Sequence, residues 1–341
     1  IMQKIRLLEL TMMLVLLSGC ADRTTITPAF YVWKSKLSAA DADTAYLNRI
    51  DAKKFYLRLF DIDDKGSGAL PVAEYSPDTC RLSGEVVPVI FLTNRTFLRC
   101  PSEEIDTLAE RCIKKMDTMY ASRFGRVPQE YQFDCDWTEK TKGAYFKFLE
   151  SVSRLKPEAI TSCTIRLHQI KYSTRTGIPP VSKGVLMYYA TSEPTDFDSP
   201  NTILDNKEAA LYIGQAHTYP LHLDVALPLY SWGIVRNSFD KTKLINGVCE
   251  ADISAHPEYY RKQREGVYEI LQSHYLRGMW INKGYELKIE EVSPEALKKA
   301  AATLRKKLKH EDRELILYHL DADILKRYST EHLQDLLKTL S

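Results

Sequence analysis

The chain has 341 residues, 44% of them hydrophobic, and a net charge of +2, which fits a globular body with enough apolar mass for a large core. A balance so near neutrality, with no basic run interleaved with aromatics, excludes a polyanion groove, so no nucleic-acid partner is expected. Seven cysteines without C-x-x-C spacing, and no Gly-rich phosphate turn, Walker loop, G-x-S-x-G elbow or H-E-x-x-H, argue against zinc, nucleotide and serine-hydrolase chemistry; no cofactor or metal is expected.

At the N-terminal end, Lys4 and Arg6 precede an apolar run, Leu10 to Leu17, that is too short to span a bilayer and leads into Leu17-Ser18-Gly19-Cys20. This resembles a bacterial lipobox. The resemblance implies a signal peptide over 1–19, a lipidated Cys20, a short tether over 20–28 and a globular body over 29–341. The expected address is the bacterial cell envelope, lipid-anchored to a membrane, most readily the outer membrane.

Short apolar or aromatic runs then predict eight strands: Phe30 to Trp33, Phe55 to Phe60, Val86 to Leu92, Tyr131 to Trp137, Thr164 to Lys171, Val185 to Tyr189, Leu221 to Leu229 and Leu315 to Leu320. Helix starts punctuate them. Pro101-Ser102-Glu103-Glu104 opens one with a stripe of Ile105, Leu108, Cys112, Ile113 and Met116; Thr138-Glu139 opens another with Tyr145, Phe148, Leu149 and Val152. Ser293-Pro294-Glu295 opens a third, and Leu333, Leu336, Leu337 and Leu340 predict a closing helix. Eight strands alternating with helices or long loops predict the α/β class and a single (β/α)8 TIM barrel with loop insertions. The alternative is a doubly wound sheet with an insertion at 230–290.

A barrel of this kind carries its chemistry at the C-terminal strand ends. Polar and aromatic residues collect there: Lys34; Asp61 and Asp63; Asn94; Asp134 and Asp136; His168, Gln169 and Lys171; Tyr188 and Tyr189; Asp224, then Tyr230 and Trp232; His319 and Asp321. Asp134 and Asp136, two apart on a strand, are expected to project to one side, where each raises the other's pKa and one carboxyl can stay protonated for acid/base work. Against this stands the reading that Asp134 is structurally hydrogen-bonded and Asp136 caps the following helix. Asp61-Ile62-Asp63-Asp64-Lys65-Gly66 places acids as a calcium loop does, but Val72 stands where a bidentate Glu is required, so the segment reads as a turn. The segment 172–184, broken by Gly177, Pro179 and Pro180, is a loop over the expected pocket, and Tyr230 and Trp232 offer stacking surfaces on the same side.

Asp134-Cys135-Asp136 resembles the middle of the D-x-x-D-x-D-x-E strand of family 18 glycoside hydrolases, the chitinase-like barrels, and Met187-Tyr188-Tyr189 resembles their M-x-Y-D strand. In that family the terminal Glu protonates the glycosidic oxygen and the preceding Asp orients the acetamido group. Here Tyr131 replaces the first Asp, Thr138 the catalytic Glu and Ala190 the M-x-Y-D aspartate. Across most of the chain, "FDCDWT", "IRLHQIKY", "GIPPVSKGVLMYYA" and "LDVALPLYSWG" resemble a family of Bacteroidota lipoproteins with glycoside-hydrolase-like barrels. The resemblances imply an envelope protein acting on or binding a glycan, with Asp134 and Asp136 as the catalytic pair. Lys34, Asp61, His168, Gln169, Lys171, Tyr188, Tyr189, Asp224, Tyr230, Trp232 and His319 are the expected glycan contacts. The alternative is a glycan-binding or envelope-assembly protein on a barrel that has lost its acid.

Overall fold

In the computed structural model, residues 24–76, 80 and 82–341 are described; the lipobox and Cys20 lie outside them. Eight parallel strands close on themselves: β1 (Ile26–Val32), β2 (Lys54–Asp63), β3 (Glu85–Leu92), β4 (Glu130–Asp134), β5 (Ile160–Arg166), β6 (Lys183–Met187), β7 (His222–Pro228) and β8 (Arg313–Tyr318). Each pairs with its neighbour in sequence, and β1 pairs with both β2 and β8, which completes a (β/α)8 barrel. The first strand begins at Ile26, opposite Arg313, three residues ahead of the expected start of the body.

The period-2 alternation of the strands sorts side chains between two cores. Ala29, Tyr31, Tyr56, Val87, Val89, Val185, Met187, Tyr189, Ala226 and Ile316 fill the barrel interior. Phe30, Val32, Phe55, Leu57, Phe133, Leu186 and Tyr188 instead face the helices. Four long helices supply that outer layer: α1 (Ile105–Phe124), α2 (Lys142–Leu155), α3 (Pro294–Lys307) and α4 (Thr330–Leu340). Helix α1 buries its predicted stripe and stops at Gly125, whose left-handed φ of 64° suits a residue without Cβ. The Ser293 hydroxyl caps α3 by accepting from Ala296 N. Among the described residues no helix is long and apolar enough to cross a membrane.

Two predicted strands end three or more residues early. The fourth stops at Asp134, and Thr138 does not cap α2 directly: its carbonyl accepts from Thr141 N and Lys142 N in a turn ahead of the helix. The fifth stops at Arg166, after which Leu167–Lys171 form a short helix. Gln169 decides that switch, because its side-chain oxygen accepts from Arg166 N at 2.7 Å and so satisfies a donor at the helix start.

The largest departure from the predicted elements follows β7. Strands Trp232–Arg236, Thr242–Asn246, Tyr260–Arg264, Val267–Ile270 and Glu286–Glu290 form an antiparallel five-stranded sheet, with a two-stranded hairpin, His274–Leu276 and Met279–Ile281, beside it. This insert has its own core, including Val235, Ile245, Tyr268, Ile270 and Leu287. The barrel's loop insertions thus include the 230–290 segment, which is expected with the open-sheet alternative and sits instead on the closed barrel.

At the N-terminal end the barrel interior is sealed by charge. Lys54 Nζ lies 2.8 Å from both Glu130 and Glu314, and Lys183 Nζ lies 2.9 Å from Asp224 and 3.3 Å from Glu130 and Glu314. Tyr56 and Ser162 donate to these carboxylates, and Tyr31 donates to Gln132 just above them.

Candidate active site

At the opposite, C-terminal end lies an open cavity of about 930 Å³. Its aromatic lining comes from five strands: Trp33 after β1, Phe91 near the end of β3, Tyr189 after β6, Tyr230 and Trp232 after β7, and Tyr318 ending β8. Tyr318 is the centre of this wall, with ring centroids 5.8 Å from Tyr31 and Tyr189, 5.6 Å from Trp33 and 5.7 Å from Tyr230. The insert contributes Asn246, Cys249 and Arg277 to the far side.

Asp134 and Asp136 both line the cavity, but their environments differ sharply. Asp134 is 4% exposed and accepts from the Thr164 hydroxyl at 2.6 Å. Burial, and behind it the charge of Asp136, pushes its carboxyl up to about 6 against the opposing pull of Arg166. Asp136 is clasped by the Arg166 guanidinium in a two-point contact, with Nη2 to Oδ2 at 3.0 Å and Nε to Oδ1. Burial disfavours the charge on Arg166, yet Asp136 and Asp134 outweigh it and hold the guanidinium firmly ionised.

Arg166 was not among the expected site residues. It ends β5, and the predicted strand running on to Lys171 hid that end. Trp33 and Tyr318 were missed because each lies one position before the polar residue taken as the end, Lys34 and His319. The expected contacts now divide by place. Tyr189, Tyr230, Trp232 and His319 line the cavity. Lys34 stands behind its rim, paired with Asp41 at 2.8 Å and with the lining residue Asp321 at 2.9 Å. Asp61 is bound to Arg58, whose guanidinium lies over the Trp33 ring at 5.4 Å.

The others do not reach the cavity. Tyr188 points outward into the helical layer, because alternation sends it opposite Tyr189. His168 and Lys171 sit on the short helix after β5; His168 is exposed and Lys171 Nζ lies 4.7 Å from the Tyr212 ring centroid. Gln169 is fully buried, donating to Trp137 O at 2.9 Å. Asp224 belongs to the sealed N-terminal end, since it lies near the start of β7 and not at its finish.

No protein-family model matches the sequence, and no curated protein matches it. Solved structures do match. The spore cortex-lytic enzyme SleL of Bacillus cereus is 13% identical over 94% of this chain and 75% of its own, with a TM-score of 0.55. The class V chitinase of Nicotiana tobaccum is 9% identical over 93% of this chain and 99% of its own, with a TM-score of 0.52. A chitinase from Bacteroides thetaiotaomicron is 10% identical over 93% and 96%, with a TM-score of 0.50. The chain folds as a chitinase-like barrel.

Within this chitinase-like barrel, the position where the resembled motif keeps its glutamate falls outside the cavity. Thr138 is exposed, and its backbone N–H donates to the Thr141 hydroxyl at 2.9 Å. The next residue, Glu139, is also exposed and pairs with Arg175. Among the described residues the carboxylates lining the cavity are all aspartates: Asp134, Asp136, Asp321 and Asp323. Asp321 pairs with Lys34 and caps the helix Ala322–Leu325, and Asp323 pairs with Lys326 at 2.8 Å.

Proposed function

We propose that this protein binds a glycan in the cavity at the barrel mouth and does not cleave it by the chitinase route. One arrangement carries the reading: an aromatic-walled cavity whose acid position is an outward Thr138, and whose Asp136 is clasped by Arg166. Aromatic rings suit the apolar faces of pyranose sugars. Arg166 engages both carboxyl oxygens of Asp136 in a two-point contact, the place where an approaching glycosidic oxygen would have to meet them. The fold supports the choice of ligand class: a mutant of the Nicotiana tobaccum class V chitinase, with the same 0.52 TM-score, was solved in complex with NAG4.

A second reading has one observation in its favour. Asp134, pushed up to about 6, approaches the protonation a general acid needs. Calorimetry and reducing-end release, run on a polysaccharide panel and on the N-acetylglucosamine tetramer, separate the two. The binding reading expects heat of binding, no product, and about ten-fold weaker affinity in Tyr230→Ala. Product release abolished by Asp134→Asn establishes the enzyme instead, and absence of binding across the panel removes the glycan.

The lipobox supports a further proposal, that Cys20 carries lipid and holds the barrel at the envelope membrane, the outer membrane foremost, with the residues from Cys20 up to the start of β1 as tether. Metabolic labelling with palmitate tests it. Label retained by Cys20→Ala, or no label in the natural protein, defeats the anchor.

A further inference from the structure

Behind Trp232 in the cavity wall lies a buried ion pair that closure of the barrel does not require. Glu290 ends its strand directly opposite Trp232 in the ladder and is 1% exposed. Its Oε2 accepts from the Trp232 indole N–H at 2.7 Å and from the Thr202 hydroxyl at 2.5 Å, while Oε1 faces Lys288 Nζ at 2.6 Å. Lys288, 3% exposed, donates to Asp196 O and Ser199 O, both at 2.7 Å, which holds its ammonium in place beside Glu290.

We propose that Glu290 is a positioning residue, setting the tilt of Trp232 through the indole N–H and, through Lys288 and Thr202, tying that tilt to the loop after β6. Apolar side chains would fill the same volume without desolvating two charges, but they would leave the indole N–H without its acceptor. A hydrogen bond to a charged acceptor is shorter and stronger than a neutral one, and stronger again in a low-dielectric seam, so it favours one ring orientation where packing alone permits several. The orientation matters beyond Trp232, whose ring lies 5.2 Å from Tyr230, and Tyr230 in turn touches Tyr189 and Tyr318. The consequence for affinity rests on the glycan-binding reading; the positioning itself does not.

The four tryptophans provide four indole N–H resonances, of which Trp232's is the one lost in Trp232→Phe. In the unsubstituted protein its indole proton exchanges with water at least ten-fold more slowly than that of Trp280, a residue that is 52% exposed; equal rates overturn the proposal without any variant having to fold. In a Lys288→Met, Glu290→Gln double variant the Trp232 resonance moves, while that of Trp137, which donates to Thr176 O, stays in place. An unmoved Trp232 resonance overturns it. Affinity for the N-acetylglucosamine tetramer falls about three- to ten-fold in the double variant and in Trp232→Phe, with no further loss when the two are combined; additive losses mean that Glu290 acts elsewhere. If the unsubstituted protein does not bind the tetramer, the glycan reading loses support while the resonances still decide the positioning.

Discussion

The two ends of the barrel hold similar residues and do different things with them. At the N-terminal end Glu130, Glu314 and Asp224 surround Lys54 and Lys183, and the interior is closed. At the C-terminal end Asp134, Asp136 and Arg166 lie beneath an open cavity walled by aromatics. Asp224 and Asp134 make the contrast sharpest, being 1% and 4% exposed. Burial works to raise the pKa of both. At Asp224 it is outweighed by His222, Lys183 and the Glu314 N–H, which hold the carboxyl down at about 2; at Asp134 it prevails, and the carboxyl rises to about 6. A buried aspartate therefore marks a site only when its neighbours leave its charge uncompensated beside a space that a ligand can enter.

Removing a cation from each end gives the largest expected difference. Lys183→Met leaves the sealed carboxylates with too little positive charge and should cost about 3–5 kcal/mol of stability. Arg166→Met should cost about 1 kcal/mol, because Asp136 is 47% exposed at its side chain and water can replace the ion pair. Urea denaturation at pH 7 measures both, and equal losses would erase the distinction drawn between the ends.

The two aspartates should also respond to pH with opposite sign. The raised Asp134 pKa means that the folded state holds this proton more tightly, so its contribution to stability falls as pH rises from about 4 to about 6. The lowered Asp224 pKa means that stability is lost as pH falls from about 4 towards 2. Asp134→Asn should then gain about 2–3 kcal/mol relative to the unsubstituted protein between pH 4 and pH 7.5. A pH-independent difference between the two proteins contradicts the burial of an uncompensated charge.

Binding should separate the ends again, on a smaller scale. Trp33→Ala at the mouth is expected to weaken the N-acetylglucosamine tetramer by about 1 kcal/mol. Tyr56→Phe at the sealed end should lower stability by about 1 kcal/mol, through its lost hydrogen bonds, without changing affinity. Calorimetry that finds the reverse would move the ligand away from the cavity. The smallest effect is expected of Thr138→Glu: no turnover, and stability within about 0.5 kcal/mol, since that side chain stands in solvent outside the cavity. Hydrolysis gained by this one change would show that the barrel retains a productive geometry despite Arg166.

Much of this contrast was unreadable along the chain for a specific reason. Strand ends decide which polar residues face the cavity, and a strand's end depends on where its hydrogen bonds run out, not on its composition. "TIRLHQIKY" is apolar enough to read as one strand, yet Gln169 turns it into a helix after Arg166 and removes His168 and Lys171 from the mouth. Asp224 was assigned to the wrong end because the run from Leu221 to Leu229 says nothing about which half of it carries the site. Tyr188 and Tyr189 are separated only by alternation, whose phase the interior sets.

By itself, the sequence determined the number of barrel strands, the stripes of the long helices, the pairing of Asp134 with Asp136 at one strand end, and the threonine at position 138. Those follow from local periodicity and residue identity, which each stretch of chain carries within itself. Tertiary structure alone decided that Arg166 neutralises Asp136, that the Trp232 platform leans on Glu290, and that Lys183 and Asp224 seal the far end. These are contacts between strands and loops up to 58 residues apart in the chain, and charge has no meaning for a site until folding brings its partner within reach.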